Sequence, residues 1–177
     1  METLTASYDH MRYITTTLIL LYSHLTFGQT VDFDKMKFNG LNFYSSKSEI
    51  IKKLGKPKKV YNPNYECGFL SGDGQGVIYF TLDYGRTKFT GNKTEKYVLE
   101  KINFENDYSI VLNYKQYKLT CKTTFKDLTE IFGKKIIKLI GKDLNGHFTI
   151  MHENNDDGIV IEVKKGKLIS VEYWSPC

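Results

Sequence analysis

Apolar and polar residues alternate along several short stretches of the chain, and this pattern predicts β-strands. The clearest example is residues 77–84, where Ile78, Phe80 and Leu82 are expected on the core face and Tyr79 on the opposite face. The residues between these stretches are rich in Gly, Asn and Asp, which is typical of turns. Further strands are predicted at residues 98–105, 148–153, 159–164 and 168–174.

Two other stretches have apolar residues at helical spacing and lie at a constant offset. Residues 46–56 and 124–134 each begin with a hydroxyl residue, carry an acidic residue three positions later and end in Gly-Lys, with 124 − 46 = 78. Each stretch therefore predicts a short capped helix. A hairpin is predicted before both helices, with turns at Asn39-Gly40 and around residues 114–117. We interpret the repetition as a tandem repeat.

These elements predict an α+β fold made of two tandem repeats, each with a short helix packed on one face of an antiparallel sheet. The first repeat is expected at residues 29–107 and the second at residues 108–177. The first copy holds a polar, glycine-bearing insertion at residues 85–96, which we expect to form a loop tip. Residues 134–146 fit either a helix extension or a buried strand.

Residues 1–28 have the pattern of a secretory signal peptide. Arg12 provides a basic start, residues 14–25 are apolar, and small residues precede a cleavage site after Gly28. We expect Met11 to be the true start of the chain. The alternative to a signal peptide is a buried N-terminal strand or helix. Because the apolar stretch is too short for a permanent span, we expect a periplasmic or secreted protein with no stable membrane span.

The charge of the chain is mildly basic. It has 25 basic and 20 acidic side chains, and removal of residues 1–28 takes away Glu2, Asp9 and Arg12, which leaves 24 − 18 = +6. The lysines are spread along the chain, and Arg86 is the single arginine that remains after residue 28. Specific recognition of phosphates and bases favours arginine, so we expect no nucleic-acid partner. The glycines at residues 72–76 precede a predicted strand, which argues against a phosphate loop.

Three cysteines, Cys67, Cys121 and Cys177, lie beyond the predicted signal peptide. None has the paired C-x-x-C spacing of a zinc or redox site. In an exported protein an odd count indicates one disulfide and one leftover thiol. We predict that Cys121 pairs with Cys177, because both lie in the second half of the chain, and the other two pairings remain open.

No catalytic or metal-binding pattern stands out. His147 and His152 are the only histidines after residue 28, and their spacing places them on opposite faces of a strand, where they cannot bind one metal ion. Asp156 and Asp157 lack the spacing of a calcium loop, and no G-x-S-x-G motif is present. We therefore predict no cofactor, no metal site and no catalytic residues.

Aromatic side chains are the best candidates for recognition. The chain has 13 tyrosines and one tryptophan, which suit protein interfaces because they offer rigid, amphipathic contact area. Tyr79 and Trp174 are expected away from the core face, and Tyr84 and Phe89 are expected at the inserted tip. These four residues are the predicted partner-binding residues. For Trp174 the alternative is that it closes the end of the sheet.

Residues 45–60, SSKSEIIKKLGKPKKV, resemble the opening of the BamE (SmpA/OmlA) outer-membrane assembly modules. Two such units in tandem resemble the beta-lactamase inhibitory protein, and the chain is also similar to uncharacterised exported proteins of Bacteroidetes-type bacteria. The chain departs from the assembly lipoproteins because no lipobox cysteine follows its apolar N-terminal stretch. The resemblance implies an exported domain that binds another protein on the exposed face of its sheet, and it transfers no functional residue.

The leading functional prediction is therefore an exported, non-catalytic protein-binding module of the inhibitor, immunity or envelope-assembly accessory type. The alternative is a small-ligand or glycan-binding domain that uses the aromatic sheet face. A hydrolase without a recognisable motif ranks third. The sequence does not identify the partner protein.

Overall fold

The computed structural model describes residues 30–65, 78–153 and 155–176. Within these ranges the chain forms thirteen β-strands and two short α-helices, together with two 3-10 segments, Phe33–Lys35 and Lys134–Leu139. The strands are β1 Thr30–Val31, β2 Met36–Phe38, β3 Leu41–Asn42, β4 Tyr44–Ser45, β5 Lys59–Tyr61, β6 Phe80–Asp83, β7 Thr87–Gly91, β8 Tyr97–Asn103, β9 Leu112–Tyr114, β10 Tyr117–Leu119, β11 Gly146–His152, β12 Gly158–Lys164 and β13 Lys167–Trp174. The helices are α1 Lys47–Leu54 and α2 Phe125–Phe132.

Most of the strands form one large sheet, in the order β1-β11-β12-β13-β8-β7-β6-β5. The sheet is mixed, because β1 runs parallel to β11 while the other neighbours along this path are antiparallel. One edge of β8 is shared by two strands. Its first residues, Tyr97 and Val98, pair with β4, and its last three residues pair with β13. The sheet therefore widens at β8.

A second, four-stranded sheet has the order β10-β9-β2-β3. This small sheet and α2 pack against the same face of the large sheet, which we call the inner face, and α1 lies against β3 of the small sheet. Phe38 of β2 contacts Phe89 of β7 with ring centroids 6.3 Å apart, and Phe125 of α2 contacts Phe148 of β11 at 6.4 Å. The hydrophobic core lies between these layers, and the opposite side of the large sheet is the outer face.

Both predicted hairpins are confirmed. Asn39 and Gly40 have positive φ angles of 50° and 81°, which the two-residue turn between β2 and β3 requires. Lys115 adopts a φ of 53° in the turn between β9 and β10. The Asn-Gly pair adopts this conformation at little cost, which is why the first turn is recognisable in the sequence.

The two capped helices also lie where the sequence predicts them. The Ser46 hydroxyl accepts a bond from the Glu49 backbone N–H at 3.3 Å, and the Glu49 carboxylate accepts from the Ser46 N–H at 2.8 Å. Thr124 and Asp127 form the same capping box at the start of α2. Hydrogen bonds from the Ser46 hydroxyl and N–H lower the pKa of the Glu49 carboxyl group, and those from the Thr124 N–H and hydroxyl lower the pKa of Asp127. Each helix is eight residues long, so its stability comes mainly from packing.

The prediction of two tandem helix-plus-antiparallel-sheet repeats is wrong. Strand β8 of the first half pairs with β13 of the second half, with Ile102 opposite Val171. The small sheet also combines both halves, because Phe38 of β2 lies opposite Leu112 of β9. Exposed strand edges leave backbone N–H and C=O groups without hydrogen-bond partners. The two halves of the chain provide partners for each other by pairing these edges. The result is one large mixed sheet with a few short helices.

Two stretches are buried differently from the prediction. Phe80 and Leu82 of β6 share one face, as predicted, but Phe80 is 37% exposed there, while Thr81 on the opposite face is fully buried. Residues 85–96 are not a polar loop tip, because they contain β7, a five-residue strand that pairs with both β6 and β8. Its backbone hydrogen bonds place Phe89 inside the core. The polar residues of this stretch made it look like a loop, although β7 pairs with a neighbouring strand at each edge.

Residues 134–146 form neither a helix extension nor a buried strand throughout. The 3-10 segment covers Lys134–Leu139, and β11 begins at Gly146. The predicted signal peptide, the glycines at residues 72–76, Cys67 and Cys177 lie outside the described residues. Among the residues that are described, no helix has the length and apolar character needed to cross a bilayer.

Candidate binding face

Inward and outward side chains alternate along β12, and the outward ones form a well-exposed part of the outer face. Ile159, Ile161 and Val163 are buried on the inner face, so Glu162 and Lys164 point outward and are exposed. The pairing register then fixes their neighbours. Glu162 lies between His147 of β11 and Ser170 of β13, and Val160 lies between Thr149 and Glu172 of the same two strands. The outer face of β11, β12 and β13 is therefore a defined array of polar side chains.

An open groove of about 490 Å³ lies on this part of the face. Ser170 donates a hydrogen bond to Glu162 at 2.9 Å, and Lys101 of β8 forms an ion pair with Glu172 at 2.8 Å. The side chains of Lys101 and Glu172 are 38% and 44% exposed, so their pairing contributes only about 0–1 kcal/mol to stability. The residues that line the groove include Asn145, His147, Val160, Glu162, Ser170 and Glu172.

A buried hydrogen-bond chain occupies the other half of the outer face. A register shift between β7 and β8 places Lys88 opposite Lys101 and Phe89 opposite Leu99, so Glu100 has no partner of its own in β7. Thr90 donates its hydroxyl proton to Glu100, and Thr81 must then donate to Thr90 across 2.6 Å. The bulge thus directs a carboxylate toward two fully buried threonines.

Tyrosines border this chain of hydrogen bonds. Tyr65 donates its hydroxyl proton to Glu100 at 2.7 Å. Burial is the largest cause that raises the pKa of Tyr65, and this hydrogen bond raises it further. The amino groups of Lys59 and Lys88 lie 5.1 Å and 6.0 Å from the centre of the Tyr61 ring, a cation–π arrangement. Both tyrosines are therefore held in place by the polar side chains of the outer face.

A second polar cluster lies at the end of the sheet near β1, around Asp157. Its carboxylate accepts hydrogen bonds from the hydroxyls of Tyr44 at 3.3 Å and Tyr173 at 3.0 Å, and it lies 2.9 Å from Nδ1 of His152. The His152 ring stacks on Phe33 with centroids 4.1 Å apart. Desolvation is the largest cause that raises the pKa of Tyr44 and Tyr173, and the nearby Asp157 charge raises both further. Both phenols therefore remain protonated donors at neutral pH.

This Asp157 cluster joins segments that are distant in the sequence. It connects β4, the turn before β12, the last residues of β13 and the 3-10 segment that carries Phe33. Within the described residues, no serine, threonine or cysteine side chain is hydrogen-bonded to His152. The geometry of the cluster suits a structural role, because it ties these segments together.

The four aromatic residues predicted to bind a partner do not form one surface. Phe89 is fully buried, and Tyr79 is 9% exposed with its hydroxyl bonded to Glu95. Tyr84 is half-buried, contacts the Phe89 ring and donates to the carbonyl of Gly55. Trp174 is 38% exposed at the end of β13, on the outer face. Of the four, only Trp174 lies beside the polar array of β11, β12 and β13.

The other candidate residues have mixed outcomes. Cys121 is half-buried, and because Cys177 lies outside the described residues, their pairing stays a prediction. His147 is exposed on the outer face beside Glu162, whereas His152 belongs to the Asp157 cluster. In the described part of the chain, no group of three or more histidine, cysteine or acidic side chains is arranged to hold a metal ion.

The charged residues of the groove were not among the candidates predicted from the sequence. The alternation of β12 and β13 contained enough information to place Glu162 and Glu172 outward, since the apolar faces of both strands were recognised. Lys101 and Glu100 were less accessible to prediction, because their positions depend on the bulge between β7 and β8. Aromatic side chains drew attention to residues that instead belong to the core.

Comparison of the chain with protein-family models, curated protein sequences and solved structures finds no match in any of the three. The resemblance of residues 45–60 to the BamE modules therefore stays a prediction, and the fold and the site rest on their own geometry.

Proposed function

We propose that the protein is an exported, non-catalytic protein-binding module and that its contact surface is the outer face of β11, β12 and β13. The observation that carries this proposal is the exposed array around the groove, in which Glu162, Glu172 and Lys101 are held at fixed positions on a rigid sheet. Trp174 adds an exposed aromatic side chain at the border of this array.

The composition of this face favours a protein as the ligand. The face carries both signs of charge, with Glu162 on β12, Glu172 on β13 and Lys101 on β8, and such a pattern can fix the register and orientation of a partner with complementary charges. The groove is open rather than enclosed, whereas sites for small molecules usually surround most of the ligand. Sheets also hold side chains more precisely than loops do, which lowers the entropic cost of binding.

Site-specific photo-crosslinking in the native cell envelope tests the proposal. A photoreactive phenylalanine analogue replaces Thr149, which is exposed on the outer face of β11, or Lys52, which is exposed on α1 in the opposite layer. We expect one crosslinked species of defined mass from position 149 and none from position 52. Equal crosslinking at the two positions would contradict the assignment of the surface.

The purified partner then allows a charge test. Glu172→Lys places two cations side by side and is expected to weaken binding about tenfold or more. The double variant K101E/E172K restores an ion pair in reversed orientation, so it separates the local repulsion from a direct contact with the partner. If no protein is captured and the chain binds a saccharide array instead, the glycan-binding alternative replaces this proposal.

A further inference from the structure

A second surface is strongly basic and partly apolar, and it borders the groove, sharing Asn145, Lys164 and Lys165 with the groove lining. It consists of the 3-10 segment Lys134–Leu139, the following residues 140–145 and residues 164–167 at the turn between β12 and β13, and we call it the basic end. Its parts are distant in sequence but are joined by backbone hydrogen bonds. The Gly166 N–H donates to the Leu144 carbonyl at 2.9 Å, and the Lys165 N–H donates to the Asn145 side-chain oxygen at 2.6 Å.

The contact between Leu144 and Gly166 fixes the shape of the basic end. Gly166 has a φ of 71°, and a Cβ atom at this position would lie 3.1 Å from Cδ1 of Leu144. A larger residue would therefore strain the backbone at this positive φ and would force the Leu144 side chain to shift by a few tenths of an ångström. Gly166 also accepts a hydrogen bond from the Phe125 N–H at 2.8 Å, which attaches the turn to the start of α2. The surface is thus a packed part of the fold.

The basic end carries one of two groups of positive charge in the chain, and the other is residues 47–59, with six lysines and one acidic residue. The single acidic residue of the basic end, Asp143, is hydrogen-bonded to Asn145, so the net charge of the surface is 7 − 1 = +6. The rest of the chain holds 25 − 7 = 18 basic and 20 − 1 = 19 acidic residues, which gives −1. The seven lysines, all exposed, are Lys134, Lys135, Lys138, Lys142, Lys164, Lys165 and Lys167.

Apolar side chains are exposed among these lysines. Ile137, Leu139 and Leu144 are 51%, 54% and 40% exposed, and they are three of the four exposed leucine and isoleucine side chains in the described residues. Single exposed apolar residues are normal on protein surfaces, but a group of them surrounded by one sign of charge indicates an interaction site. The fourth, Ile78, lies in another part of the chain.

We propose that the basic end binds the surface of an anionic membrane, with Ile137, Leu139 and Leu144 entering the boundary between headgroups and acyl chains. Lysines that surround exposed aliphatic side chains are typical of proteins that lie on anionic lipid. The basic end contains neither arginine nor aromatic residues, whereas protein interfaces are enriched in both and depleted in lysine. This composition favours lipid over an acidic protein.

Vesicle flotation with the purified protein tests this proposal without any partner protein. One set of vesicles is pure phosphatidylcholine, and the other contains about one third phosphatidylglycerol, in about 0.1 M salt. We expect flotation only with the anionic vesicles. The variant K134Q/K135Q/K138Q/K142Q should lower the partition coefficient about fivefold per lysine, which corresponds to ~1 kcal/mol each.

A matched variant controls for net charge. K47Q/K52Q/K53Q/K56Q removes the same number of lysines from α1 and its C-terminal end, where no exposed leucine or isoleucine has been found within the described residues. We expect it to keep the partition coefficient within about threefold of the unchanged protein. Equal losses in the two lysine variants would overturn the proposal, because binding would then depend on net charge alone.

The apolar part of the surface has its own test. I137S/L139S should lower binding about tenfold and should do so also at high salt, where the attraction of the lysines is screened. Val60→Ser, at an exposed position on the edge strand β5, is the matched control and should have no effect. Failure of the unchanged protein to float, together with binding to immobilised polyglutamate, would replace the membrane with an acidic protein.

Discussion

Replacement of Asp157 tests whether its cluster stabilises the end of the large sheet. Asp157→Ala removes the carboxylate that accepts from Tyr44 and Tyr173 and that lies beside His152. The Asp157 side chain is only 14% exposed, so water replaces these bonds incompletely. The variant should therefore loosen the contacts between β4, β13 and the turn before β12.

The expected loss of stability follows from the individual bonds. A hydrogen bond to a charged group contributes about 1.5–3 kcal/mol, and the long 3.3 Å bond from Tyr44 contributes less than the 3.0 Å bond from Tyr173. Some water reaches the cluster, which lowers the sum. We therefore expect D157A to reduce the free energy of unfolding by about 2–4 kcal/mol, or roughly 5–15 °C in melting temperature.

Denaturant unfolding at neutral pH, followed by the fluorescence of Trp174, measures this change. Asp157→Asn should cost only about 1 kcal/mol, because its amide oxygen can accept from both tyrosines. Its amino group can donate to His152 Nδ1 in the tautomer in which this nitrogen is an acceptor, a position that it shares with the Asn155 amide at 2.9 Å. Asp156→Ala, at the exposed neighbouring position, is the control and should have almost no effect. The reasoning is refuted if D157A is as stable as D156A, or if D157N is as unstable as D157A.

Five further changes test other parts of the structure. Phe89→Ala should cost about 3–5 kcal/mol in denaturant unfolding, whereas Trp174→Ala should cost less than about 1 kcal/mol; the reverse order would contradict the core described above. Thr124→Ala should remove the cap of α2 and cost about 1 kcal/mol. The hydrogen bonds from Thr124 lower the Asp127 pKa from its ordinary 3.8, so the stability they contribute is present above that pH and is lost as pH falls through the lowered pKa; melting curves of the unchanged protein and D127N should converge in acid. Lys101→Ala should change the unfolding free energy by no more than about 1 kcal/mol, which double-mutant cycles can check.

The local elements could be predicted from the sequence because their signals are local. Ser46 and Glu49 lie three residues apart, and their capping bonds form within one helical turn. Asn39-Gly40 specifies its own turn through the positive φ angles that these residues tolerate. Strand β12 was recognised for a similar reason, because its apolar residues alternate without interruption.

The position of Phe89 shows where local signals end. Residues 85–96 contain many polar residues, and Thr87 and Thr90 are buried on a strand that pairs with β6 and β8 at its two edges. The burial of a polar side chain depends on a partner elsewhere, as in the hydrogen bond between Thr90 and Thr81. No pattern within residues 85–96 specifies these partners, so the stretch resembled a loop.

The same limit explains why both proposed surfaces were missed. In the sequence the lysines are spread along the chain, and residues 134–142 are separated from residues 164–167 by two strands. Because β11 and β12 are antiparallel, the end of β12 lies beside the start of β11. The hydrogen bond between Gly166 and Leu144 then brings the two groups of lysines together. A one-residue change in this register would turn Glu162 inward and bury its charge. Strand pairing therefore determines both where the positive charge collects and which carboxylates face the groove, so the two surfaces are consequences of one topology.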